Sequence, residues 1–111
     1  MATRSVIAKL DDRGIQAIYC HNDGYLSNNG KILDQHYQNE VKVDNLIAQG
    51  DASSLKDTIE DTIFYMRDRG EENKEATNLN NETKLLEFAF EECDAELVYM
   101  FAYGSWYVYD N

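Results

Sequence analysis

The residues best suited to chemistry lie together at Cys20-His21-Asn22-Asp23, with His36 fifteen residues beyond His21. A thiol beside an imidazole is the pairing a cysteine nucleophile needs, because histidine can take the thiol proton. Two histidines and a carboxylate are also donors for a metal ion. Arg4 and Tyr25 would complete a ligand pocket built from Arg4, His21, Asp23, Tyr25 and His36. The plainer reading makes Cys20 the end of a strand, Asp23 the turn after it, and the histidines ordinary surface or core groups. The histidine separation matches no zinc-ligand spacing, so neither a metal nor another cofactor is expected.

Carboxylates are the more abundant chemistry. Neighbouring pairs occur at Asp11-Asp12, Glu60-Asp61, Glu71-Glu72 and Glu91-Glu92, in a chain of net charge −11. Residues 1–50 hold five basic and six acidic side chains, whereas residues 51–111 hold five basic and fifteen acidic ones. That balance argues against direct binding to DNA or RNA, which needs Lys and Arg to neutralise phosphates. It also repels an anionic membrane surface. Acidic pairs in so acidic a chain read first as a solvated face. Arg67-Asp68-Arg69 is the one basic concentration in the second half, and pairing with nearby carboxylates is its simplest role. Phosphate-cradling glycine loops, a GxSxG elbow and an HExxH helix are all missing, which removes the reactions those motifs support.

The elements that position these residues belong to one domain spanning 1–111, since the length leaves no room for two. Two cysteines without CxxC spacing, Cys20 and Cys93, read as small buried apolar groups in a reducing compartment. The N-terminal residues lack a signal-peptide apolar core, and the run Leu97–Tyr103 is too short to span a bilayer.

Strand alternation over 5–10 and 15–20, joined by Asp11-Asp12-Arg13-Gly14, predicts a hairpin. Ile32, Leu33, His36 and Tyr37 share a helical face, with Asn28 or Asn29 as the expected cap. A second helix is expected over 40–49, burying Val43, Leu46 and Ile47 and ending at Gly50. Leu55, Ile59, Ile63 and Met66 predict a third from Ser54 to Arg67, followed by a surface loop over 68–80. A last helix opens at Asn80 or Asn81, with Leu86, Phe90 and Cys93 facing inward.

The chain then closes on an aromatic hairpin, Glu96–Tyr103 and Ser105–Tyr109, whose first strand is apolar on both faces. Such a strand is central, or covered by a second layer or a partner. The expected fold is α+β: an antiparallel sheet of about four strands from the two terminal hairpins, with helices on one face. Of the aromatics, Trp106 and the terminal tyrosines are the set expected at the surface.

The motifs Thr3-Arg4-Ser5-x-Ile7 and Tyr19-Cys20-His21-x-Asp23-Gly24-Tyr25 carry a resemblance, with His36-Tyr37 and Lys42-Val43-x-x-Leu46-Ile47 after them. Gly50-Asp51-x-Ser53-Ser54-Leu55 and Arg67-Asp68-Arg69-Gly70-Glu71 extend it over about the first two thirds of the chain. The pattern resembles a family of small bacteriophage and prophage accessory proteins that has no established activity. That family commonly has Trp after the histidine, where this chain has Asn22. The resemblance implies a viral protein acting in the cytoplasm of a bacterial host.

The leading expectation is therefore a non-enzymatic inhibitor of a host defence or nucleic-acid-processing protein, such as an anti-CRISPR or anti-restriction protein. Its expected partner is a protein or protein–nucleic-acid complex with a basic surface, met by carboxylates that stand where phosphates would. The contact set is Glu60, Asp61, Glu71, Glu72, Glu87, Glu91 and Glu92, with Trp106. The alternative is a small-ligand binder or hydrolase using residues 20–25 with His36 and Arg4, and a homodimer through the aromatic hairpin is a third reading.

Overall fold

The computed structural model describes residues 2–111. The N-terminal hairpin is present: β1 (Ser5–Asp11) and β2 (Gly14–Cys20) pair antiparallel from Ser5–Cys20 to Asp11–Gly14. Asp12 and Arg13 turn the chain. Gly14 follows at φ 106°, a backbone form glycine adopts without a steric cost.

A wide helical turn, Leu26–Gly30, runs directly into α1 (Lys31–His36), so neither Asn28 nor Asn29 caps that helix. Asn29 is instead fully buried, its Nδ2 donating to Ser5 Oγ at 3.2 Å and Cys20 Sγ at 3.4 Å. α2 (Glu40–Ala48) begins where Asn39 accepts the Lys42 N–H at 2.9 Å, and it buries Val43, Leu46 and Ile47. The buried face follows the apolar spacing read from the chain; the Asn39 cap was not part of that expectation.

The helix expected over 54–67 does not form. Its place is taken by β3 (Ala52–Ser54), a turn, β4 (Ile63–Phe64) and the short helix α3 (Tyr65–Arg69). Side chains satisfy the backbone here in competition with a helix. Thr62 Oγ1 accepts the Lys56 N–H at 2.9 Å and donates to the Thr58 carbonyl at 2.8 Å. Arg67 donates to the carbonyls of Ile59, Glu60 and Thr62. Of the supposed stripe only Leu55 is fully buried, Ile63 is exposed, and Phe64 fills the core in its place. The stretch 68–80 is likewise not all loop, because α3 reaches Arg69 and β5 covers Thr77–Leu79.

α4 (Glu82–Glu87) starts at Asn81, whose side chain accepts the Lys84 N–H, and widens into a second turn, Phe88–Glu92. The buried residues are Leu85 and Ala89, while Leu86, Phe90 and Cys93 pack at the margin. The inward face is thus rotated by about one residue from the expected one. β6 (Leu97–Ala102) and β7 (Ser105–Asp110) then form the aromatic hairpin, turning at Tyr103 (φ 53°) and Gly104 (φ 78°).

Among the described residues seven strands make one open, mixed sheet in the order β4-β3-β2-β1-β6-β7, with β5 also paired to β2. The expectation of an antiparallel sheet is corrected, because β6 lies parallel to β1 from Ser5–Leu97 to Lys9–Phe101. Helices on one face is corrected as well. β1 is buried on both sides: Ile7 joins the core under α1 and α2, while Val6 and Ala8 join Leu85 and Ala89 on the opposite side. A central strand apolar on both faces needs two covering layers. α1 and α2 provide one, and α4 with the turn after it provides the other.

Candidate functional site

The Cys20–Tyr25 segment leaves the end of β2 alongside β3. His21 N–H donates to the Ala52 carbonyl at 3.1 Å and Asn22 N–H to the Ser53 carbonyl at 2.9 Å. Asn22 Nδ2 adds contacts to Ser53 and Ser54, so this side chain stitches two strands together. Gly24 is buried, and a Cβ there would lie 2.7 Å from Ser5 Cβ. Asp23 is exposed at φ 57° and offers its carbonyl to Asn28 and Asn29, while Tyr25 is exposed.

The expected pocket is not assembled. His21 Nδ1 lies 2.7 Å from Tyr19 Oη, on the side of the sheet that faces α4. His36 belongs to α1 on the other side, with Nε2 3.6 Å from Asp57 Oδ1. It lines a groove of about 190 Å³ with Tyr37, Lys42 and Glu60. Arg4 lines a separate cleft of about 430 Å³ with Tyr19, Asp51, Glu92 and Cys93. A general base and its carboxylate must share hydrogen-bond reach. His21, Asp23 and His36 are spread over three environments.

The thiols are equally ill-placed for attack, since the thiolate is the nucleophile. Burial pushes the fully buried Cys20 thiol above its ordinary value. Burial, with Asp51, Glu92 and Asp94 nearby, pushes Cys93 up to about 11. No group of three or more His, Cys, Asp or Glu side chains among the described residues could hold a metal ion.

The Arg4 cleft was not legible as a site, yet it gathers charge. Asp51 accepts the Tyr19 N–H at 2.9 Å, and burial raises its carboxyl pKa although that bond lowers it. Glu75, Glu92 and Asp94 line the same cleft. Burial raises the Tyr19 hydroxyl too, with Arg4 pulling it back. The parallel β1–β6 pairing brings this about, placing the Arg4 carbonyl 2.9 Å from the Glu96 N–H.

The expected acidic contact residues are all exposed but divide between faces. Glu60 borders the His36 groove on the α1 side, and Asp61 borders an adjoining depression with Asp57. Glu92 borders the Arg4 cleft on the α4 side, and Glu87 and Glu91 belong to the same helical segment. Glu71 and Glu72 follow α3 at the start of the segment that brings Asn73 and Glu75 into that cleft. Residues 71–94 hold eight acidic side chains against two lysines.

Trp106 is not a free surface aromatic. Its Nε1 donates to the Tyr37 carbonyl at 2.8 Å and its ring meets Phe101 edge-on, centroids 5.2 Å apart. Tyr103 is the exposed aromatic of the hairpin, at 87%, with Tyr107 and Val108 about half as open. No helix of the described residues is long and apolar enough to cross a membrane. Comparison with known protein families, curated proteins and solved structures found no match to this chain.

Proposed function

We propose that this chain is a non-catalytic, phage-type binding protein whose α4 face occupies a basic surface of host defence or nucleic-acid-processing machinery. The observation that carries the reading is the acidity of residues 71–94, together with the meeting of Asp51, Glu75, Glu92 and Asp94 at one cleft. Carboxylates so grouped offer a field resembling that of a phosphate backbone, and opposite fields speed association. The separated histidines and raised thiols favour binding over catalysis. The site of action in this reading is the cytoplasm of a bacterial host. Glu60 and Asp61 lie on the α1 side and take no part in the contact.

Two variants test this: Glu87→Lys/Glu91→Lys/Glu92→Lys and Glu60→Lys/Asp61→Lys, each compared with the unaltered chain in capture from bacterial lysate and in a salt titration of the captured complex. The α4-side variant should lose the partner, and the α1-side variant should keep it. Equal retention by both, or salt-insensitive binding, would remove the reading.

A further inference from the structure

The sheet ends differently at its two sides. One margin is blunted, since β4 has two residues and β5 three. The other is β7, six residues long, regularly paired to β6 over its whole length and, among the described residues, with no neighbour beyond it. Proteins commonly protect such an edge with lysine, proline or a bulge. Ser105-Trp106-Tyr107-Val108-Tyr109-Asp110 has none of these, and its one charge is the acid at its end.

The two-residue turn at Tyr103-Gly104 makes Ala102–Ser105 a hydrogen-bonded pair. Alternation along an antiparallel ladder then turns the N–H and C=O groups of Trp106, Val108 and Asp110 outward. Beside this edge, Asp34, Gln38, Phe101, Ser105 and Trp106 line a depression of about 390 Å³. It joins an aromatic wall to a carboxylate, the combination that receives an arginine or lysine side chain. On the other face Glu82 stands beside Tyr109.

We propose that β7 takes up an extended basic segment of a partner protein as an eighth strand, with one Arg or Lys side chain seated between Trp106 and Asp34. Strand addition supplies affinity through backbone bonds, and side chains alternating between the faces supply selectivity. The occupant is chosen by charge. A second copy of the chain would bring −11 against −11, whereas a basic strand meets Asp34, Asp110 and Glu82. The choice of a basic occupant rests on the binding function proposed above; the open edge itself does not.

The probe is a short labelled peptide alternating valine with arginine, compared with the same peptide carrying glutamate in place of arginine. Binding is followed by anisotropy and by amide chemical shifts of isotope-labelled protein. The arginine peptide should bind, the glutamate peptide should not, and the shifts should centre on Trp106, Val108 and Asp110. Val108→Pro removes an outward N–H and should weaken binding at least about tenfold, with circular dichroism reporting the fold. Asp34→Asn leaves the strand untouched and should weaken binding of the arginine peptide. Shifts confined to residues 71–94 would overturn strand addition while leaving the acidic-face reading in place. Equal binding of both peptides, no binding of either, or self-association through β7 would each overturn it. Loss of the lysate partner by the α4-side variant is the separate measure of the broader reading.

Discussion

Tyr99 Oη donates a 2.6 Å hydrogen bond to the Gly24 carbonyl, tying the middle of β6 to the loop that follows β2. Tyr99 is 1% exposed, so the carbonyl has no ready substitute for this donor. Leaving a buried acceptor unsatisfied costs about 1–3 kcal/mol. Tyr99→Phe should therefore lower unfolding free energy by about that amount in a urea titration. Gly24→Ala should cost more, because its Cβ would meet Ser5 Cβ at 2.7 Å and the Thr3 carbonyl oxygen at 2.8 Å. An unchanged midpoint for both variants would contradict this role for the loop.

Burial pushes Tyr99 from its ordinary value of 10.0 up to about 12. The unfolded chain loses this proton at lower pH than the folded one, so stability falls as pH rises across that window. The contribution is complete below about pH 10 and gone above about 12. Cys93, pushed up from 9.0 to about 11, acts in the same direction from slightly lower pH. Melting temperature should drop through this range. Tyr99→Phe should flatten the upper part of the slope and Cys93→Ala the lower part.

Which parts of this were legible follows from how local each signal is. The two hairpins and α2 were readable because alternation, a glycine turn and the Val43, Leu46, Ile47 spacing all lie within a few residues. The region 54–67 misled because Leu55, Ile59, Ile63 and Met66 imitate a helical stripe. The deciding forces there are Thr62 and Arg67 bonds to the backbone and the pairing of β3 with β4. The acidity of the second half was plain in the sequence. Its division was not: Glu60 and Glu92 lie on opposite faces only because α1 and α4 pack on opposite sides of the sheet. Arg4 and Cys93 likewise share a cleft through parallel pairing of β1 with β6, which no local spacing encodes.

Lys9 is 5% exposed, and its Nζ pairs with Asp44 Oδ1 on α2 at 2.5 Å. A cation this deep depends on its partner, because an unpaired buried charge is far costlier than the pair is favourable. The Asp44 carboxylate is half exposed, which moderates the effect through solvent screening. Asp44→Ala should destabilise the fold in urea by less than the ~3–5 kcal/mol of a fully buried pair. Lys9→Met, which removes the charge and keeps the volume, should cost less or stabilise. The opposite order would mean that the pair, and not desolvation of the lysine, governs this contact.

The cysteines give the last prediction, and it bears on the non-catalytic reading. Cys93 sits two pKa units above its ordinary 9.0, which leaves about a hundredfold less thiolate at neutral pH than a free cysteine. Cys20 is fully buried and held between Asn29 and the Asn22 carbonyl. Folded protein mixed with Ellman's reagent at neutral pH should therefore release colour slowly from Cys93 and not at all from Cys20. Urea should expose both at the rate of ordinary thiols. With the chain folded, Asp51→Asn/Glu92→Gln/Asp94→Asn should speed the Cys93 reaction modestly, since burial is the larger cause of its shift and those charges the smaller. Rapid labelling of Cys20 in the folded state would reveal an accessible thiolate beside His21 and return the nucleophile reading to consideration.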